Sequence, residues 1–307
     1  MKKYKFLIGL IVILFLLSAC NSNEKEGYLF NEVKNNKIDH IHGMGYINGG
    51  NEFAIATHLG LYEYGKEGWK EANSQKHDYM GFQAVREGFF SSGHPEEGSE
   101  YKNPLGLIKS NDKGASFEQL AFYGEIDFHY LAAGYDSNTI YVLNETPVKE
   151  MDVGLHYSVD EGVSWKKVAM NGFTSDYISN LSAHPTYKQT IAAASKDGLF
   201  ISDDYGQNFK RKNDTNNITY VTFNETGGYY SNFDNDKVFL KSFMIENSEE
   251  TEIELPSDLE MDPIIFIAIN PGNLKEIVIA TNNNNIYVTK DEGFSWDKLA
   301  SNGELSI

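Results

Sequence analysis

Four times this chain spells Ser/Thr-x-Asp-x-Gly-x-x-aromatic: Ser110 to Phe117, Ser158 to Trp165, Ser202 to Phe209 and Thr289 to Trp296. Repetition at a fixed period constrains a fold more than any local propensity, because each unit must be able to stack on a copy of itself. A second signal, Gly-Leu followed by two residues and Ser, precedes the boxes at Gly106, Gly154 and Gly198. Asn285-Ile286 opens the final copy, and Gly60-Leu61 is an earlier, decayed one followed by Gly68-Trp69. These starts are spaced by 46, 48 and 44 residues and then by 87. The last gap is nearly two periods, so one unit has lost its box. Its strand is Lys237 to Lys241 and its degenerate turn Glu246 to Glu250.

Within each unit, short runs rich in Val, Ile, Tyr and Phe lie between Gly, Asn and Asp clusters, the pattern of short strands. The fourth unit reads as strands over 177–183, 189–194, 198–202 and 207–212, with the box turning the chain between the last two. A single four-stranded unit cannot bury both of its faces, whereas six arranged radially cover one another. With 41% hydrophobic residues and 19 each of Tyr and Phe, the chain has the side chains to fill those interfaces. The expected fold is all-β: a six-bladed β-propeller over residues 38–302, four strands per blade. Closure by strand exchange with residues 27–37 is open but not required, since the last blade owns four strands.

The boxes resemble those of Asp-box (BNR-repeat) and sortilin-like β-propellers, a resemblance that spans about residues 38–300. It implies that Asp112, Asp160, Asp204 and Asp291 are structural, sitting in turns on the propeller rim. The chemistry agrees: a turn Asp accepts backbone N–H bonds and Gly tolerates the required φ. The family includes sialidases, whose grip on a substrate carboxylate takes three Arg. This chain has only Arg86 and Arg211, so that activity is not expected.

The N-terminus reads as an address. Lys2, Lys3 and Lys5 precede an apolar run from Phe6 to Leu17, too short for a membrane span, and then Leu17-Ser18-Ala19-Cys20. This string resembles the lipobox of bacterial lipoproteins, which implies lipid attachment to Cys20, the only cysteine. Residues 1–20 are then a signal peptide and 21–37 a polar tether. The protein is expected outside the cell membrane, anchored to it by that lipid. A formal charge of −18 argues against nucleic acid as a partner.

In a propeller the innermost strand of each blade lines the axial channel. Aligning these strands puts His40, Asp78 and Asp127 at one ring position of the first three blades, and His42, Met80 and His129 two residues on. The second strands of the first two blades end in His58 and His94. Imidazole, carboxylate and thioether from neighbouring strands suit a transition metal, either copper or zinc, with the Met leaning toward copper. The strings His-x-His-Gly, Thr-His-x-Gly-Leu, Asp-Tyr-Met-Gly-Phe and Ser-Gly-His-Pro resemble a group of exported bacterial proteins commonly filed as glycosyl hydrolases. A hydrolase needs a carboxyl pair. Asp39, Asp78, Asp127, Asp176 and Asp262 all lie near first-strand starts, and Asp78 with Asp127 is the first choice. The competing reading is that Asp caps the turn leading into each blade. The primary expectation is a non-catalytic binding or assembly module with its site on blades 1–3, and the hydrolase is the alternative.

Overall fold

The computed structural model describes residues 27–247, 249–259 and 261–306; residues 1–20, expected to be a signal peptide, lie outside the described residues, Cys20 included. It forms six antiparallel sheets, each a blade whose strands follow chain order from the axis outward. Blade 1 comprises Ile41–Gly45, Phe53–Thr57, Gly60–Gly65 and Gly68–Ala72; blade 2, Asp78–Val85, Gly88–His94, Leu107–Ser110 and Glu118–Ala121. Blade 3 runs through Tyr130–Ala133, Ile140–Asn144, Gly154–Ser158 and Lys166–Lys167; blade 4, Asn180–Ala183, Ile191–Ser195, Gly198–Ser202 and Lys210–Arg211. Blade 5 comprises Ile218–Phe223, Gly227–Asp234, Lys237–Met244 and Glu250–Ile253; blade 6, Ile264–Ile269, Ile277–Thr281, Ile286–Thr289 and Asp297–Ser301. The innermost strand of each blade contacts that of the next, and blade 6 contacts blade 1, so the ring is closed.

The second strand of each blade is sandwiched between neighbouring sheets. Phe53–Thr57, Ile191–Ser195 and Ile277–Thr281 are accordingly buried at every residue. Burial on both faces explains why these strands read as continuous apolar runs and do not alternate. The core is likewise divided into six clusters, one at each blade boundary. Tyr46, Phe53 and Trp69 meet Val278 and Leu299 across the closing boundary, for example.

The four boxes share one geometry. In blade 3, Ser164 N donates to Asp160 Oδ1 at 2.9 Å, Ser158 Oγ donates to the same oxygen at 2.7 Å, and Gly162 N donates back to Ser158 Oγ at 2.8 Å. Asp112, Asp204 and Asp291 repeat these bonds. The hydroxyl and amide donors hold the Asp160 pKa down at about 2. These aspartates are consumed by the hydrogen bonds of their turns.

Closure uses less exchange than the sequence allowed. Phe30–Glu32, within the expected tether, pairs with Gly68–Ala72 as a fifth, outermost strand of blade 1 itself. Glu304–Leu305, past the expected end at 302, is a fifth strand of blade 6. The two ends meet only through a bridge between Lys37 and Glu304 and flanking bonds such as Ile38 N to Gly303 O, 2.8 Å. Side chains reinforce the seam: Tyr46 donates to Glu276 Oε1 at 2.7 Å, and Trp69 Nε1 to the Leu299 carbonyl at 3.1 Å.

Candidate metal centre at the channel mouth

Two glycines set the spacing of the first strands. A Cβ on Gly43 would stand 2.7 Å from Phe82 Cβ and 2.8 Å from the Phe82 carbonyl; on Gly81 it would stand 2.3 Å from the Phe128 carbonyl. Blades 1 and 2, and blades 2 and 3, therefore approach backbone to side chain where only glycine fits. Both glycines follow directly on the channel-facing residues His42 and Met80, and both lie at a shift in strand register. Their role is an addition to the sequence reading. The visible signal is a Gly immediately after the ring position in two consecutive blades.

This approach brings blade 1 imidazoles onto a blade 2 carboxylate. His42 Nε2 lies 3.2 Å from Asp78 Oδ1, His58 Nδ1 lies 3.1 Å from Asp78 Oδ2, and the two ring nitrogens are 3.1 Å apart. One donor atom from each residue falls in a cluster compact enough to hold a metal ion. Burial is the main force lowering the His42 pKa to about 4; Asp78 opposes it, while His58, His40 and His129 add to it. At neutral pH His42 is thus uncharged. Asp78 Oδ1 is buried and has no hydrogen bond, so its 3.2 Å approach to His42 lacks donor geometry. Donor atoms about 2.0–2.1 Å from a tetrahedral ion stand about 3.3 Å apart. The two ring nitrogens, and each imidazole with its own Asp78 oxygen, are spaced at 3.1–3.2 Å.

Blades 2 and 3 form a second group of a different kind. Asp127 Oδ2 is approached by His94 Nε2 at 3.3 Å and by His129 Nε2 at 3.2 Å. The other His94 nitrogen is 2.6 Å from Asn103 Oδ1, and Phe128 N donates to Ser92 Oγ at 2.9 Å, which positions the Asp127 backbone. Asn103 and Ser92 were not singled out from sequence. Among the described residues only His42, His58 and Asp78 converge as a metal set, so His94, Asp127 and His129 stand beside it as a separate group. Within the expected eight-residue site the carboxylates thus gather two groups, because Asp127 faces its own pair of imidazoles.

His40 stacks on the His58 ring with centroids 5.3 Å apart and meets His42 edge-on at 4.8 Å. His40, His42, Met80 and His129 all line a channel cavity of about 930 Å³, whose far wall carries Tyr177, Asn180 and Lys196. The remaining histidines are structural. His77 accepts from Glu96 N, His156 is buried beside the Gly154 carbonyl, and His184 accepts from Thr186 N and Tyr187 N. The capping role expected for first-strand aspartates holds for Asp262, which accepts from Asn283 N and Asn285 Nδ2. It does not hold for Asp78 or Asp127, which turn to histidines, nor for Asp176, whose partner is Lys196.

No protein-family model and no curated protein matches the sequence. Solved structures do share the fold. A GH74 xyloglucanase from Xanthomonas campestris superposes with a TM-score of 0.55 at 15% identity, over 89% of this chain and 47% of that one. A GH74 enzyme from Niastella koreensis gives 0.56 at 16%, over 89% and 47%. A YCF48 protein bound to D1 peptide gives 0.50 at 15%, over 88% and 85%. This chain therefore spans about half of each GH74 enzyme. At such identities the likeness establishes the β-propeller fold and nothing finer.

Proposed function

We propose that this protein is a non-catalytic binding module of the Asp-box kind whose channel mouth holds a transition-metal ion, copper or zinc. The ion sits between His42 and His58 of blade 1 and Asp78 of blade 2. The observation that carries this reading is the mutual contact of three donor groups: His42 at 3.2 Å from Asp78 Oδ1, His58 at 3.1 Å from Asp78 Oδ2, and the two ring nitrogens at 3.1 Å, with Oδ1 buried and without a hydrogen bond. The uncharged His42 imidazole, the His58 imidazole and the Asp78 carboxylate crowd their lone pairs together, and a cation between them removes that conflict. Three protein ligands leave a coordination position open toward the cavity, where a partner could bind. A propeller that binds a peptide, as the YCF48 neighbour does, supports a binding role for this architecture. The lipobox supports placing the module outside the cell membrane on the lipid of Cys20.

The hydrolase alternative is less well supported. A glycosidase acid must be a protonated carboxyl free to reach the leaving oxygen. Asp78 and Asp127 are instead each held by two imidazoles.

The test is metal analysis of protein purified without a polyhistidine tag, then incubated with Zn(II) or Cu(II) and desalted. One equivalent should be retained, and it should be lost in His42→Ala and Asp78→Asn but kept in His94→Ala. Retention that ignores the first two substitutions removes the metal from this reading.

A further inference from the structure

Among the described residues, the outer edges of blades 2 and 5 each end in a four-residue strand with no fifth beyond it, Glu118–Ala121 and Glu250–Ile253, and it is along that of blade 5 that grooves run. Blades 1 and 6 cover their outermost strands with a fifth, and blades 3 and 4 end in two-residue stubs. Blade 5 ends in a four-residue strand, Glu250–Ile253, which pairs with Lys237–Met244 on one side and, among the described residues, with no strand on the other. An uncovered strand of this length presents free backbone donors and acceptors to an extended chain.

Grooves run along this strand. One of about 470 Å³ lies against Val238, Leu255 and Met261; a second of about 610 Å³ against Tyr229, Met244 and Phe294; a third of about 320 Å³ against Pro256, Phe294 and Trp296. Glu254 lines all three, so they form a continuous track. The apolar side chains beside it are unusually open: Phe294 is 86% exposed and Met261 65%. Glu249, Glu252, Glu254 and Glu292 face the track, and none has an ion-pair partner among the described residues. Asp236 and Lys237 lie at one end, and Asp258 is paired with Lys298 at the other.

We propose that this edge is a docking strip for an extended, basic segment of a partner protein. The segment would add as a strand to Glu250–Ile253, with Lys or Arg side chains against the four glutamates and an apolar side chain against Phe294. Charge complementarity selects the occupant. Four carboxylates that form no ion pair among the described residues outnumber Lys237 and Lys241 beside them, so this edge repels a second copy of this acidic chain and attracts a cationic strand. The inference is independent of the metal centre, which lies at the axis on blades 1 and 2.

The probe is the acetylated, amidated heptapeptide Lys-Val-Lys-Phe-Lys-Val-Lys, with binding followed by fluorescence anisotropy at physiological salt. It should bind the wild-type chain, weaken by about ten-fold or more against Glu252→Lys/Glu254→Lys, and weaken again against Phe294→Ala. A version with alternate amides N-methylated keeps the charge but cannot pair with an edge, and it should not bind. Glu118→Lys, on the outer strand of blade 2, should have no effect, and melting curves establish that each variant folds. Failure of the heptapeptide to bind overturns the proposal. So does equal binding of the N-methylated peptide, or equal sensitivity to Glu118→Lys, since either makes the attraction diffuse.

Discussion

Asp78 Oδ1 stands 3.2 Å from His42 Nε2 across the boundary between blades 1 and 2, yet the oxygen takes part in no hydrogen bond. A buried carboxylate oxygen left this way costs about 1–3 kcal/mol, which an ion held between the two groups recovers. Metal should therefore act as a staple between blades. At a free concentration one hundred times Kd it should add about 2.7 kcal/mol to stability, a shift of a few degrees in a chain of this size. Differential scanning calorimetry with and without Zn(II) checks this. The shift should vanish in Asp78→Asn and survive in Asp127→Asn.

Without metal, His42 makes the protein acid-sensitive. The His42 pKa is about 4 in the folded state against an ordinary 6.5, chiefly through burial. Between those values the unfolded chain binds a proton that the folded chain refuses, so stability is full above pH 6.5 and falls as pH drops toward 4. With solvent screening allowed for, the loss should be about 2 kcal/mol. Urea melts of metal-free protein at pH 7 and pH 4.5 should show it, and His42→Gln should flatten that part of the profile.

Gly43→Ala should damage both the fold and the site. The added methyl meets Phe82 Cβ and the Phe82 carbonyl at under 3 Å, and the carbonyl belongs to backbone that cannot rotate away. Overpacking of this kind costs about 1–3 kcal/mol. Relief by separating blades 1 and 2 would also pull His42 from Asp78, so metal affinity should fall with stability. Isothermal titration at a temperature where the variant remains folded separates the two effects.

The fold was legible because its information is repeated. Four boxes at nearly constant spacing give blade number and strand order together, and the single gap of 87 residues marks where a box was lost. The site was legible as a set of residues but not as a partition. The ring alignment found His42, His58, Asp78, His94, Asp127 and His129, yet could not tell that Asp78 faces blade 1 while Asp127 is held between His94 and its own blade's His129. That choice depends on register shifts near Gly43 and Gly81, which sequence alignment treats as in step. The aspartates at first-strand starts looked equivalent for the same reason. Their partners differ because the neighbouring loops differ: Asn283 and Asn285 answer Asp262, whereas Lys196 answers Asp176.

The lost box of blade 5 has a replacement that comes from another blade. Lys212, at the outer end of blade 4, donates its ammonium to the carbonyls of Met244 at 2.6 Å, Ile245 at 3.3 Å and Asn247. In the intact boxes an Asp gathers backbone N–H groups; here a cation gathers backbone carbonyls, and the turn is held from outside. The turn where the box was lost therefore already holds a cation, the Lys212 ammonium. Burial depresses the Lys212 pKa and Glu250 opposes the shift. Lys212→Met keeps most of the side-chain volume but strips three carbonyls of their donor, which should cost about 1–3 kcal/mol. Hydrogen exchange should then rise over residues 244–250 before any global unfolding. Asp160→Ala, which breaks an intact box, should instead raise exchange over 158–165 and leave blade 5 alone. If Lys212→Met leaves protection over 244–250 unchanged, the turn holds itself and the lysine is a bystander.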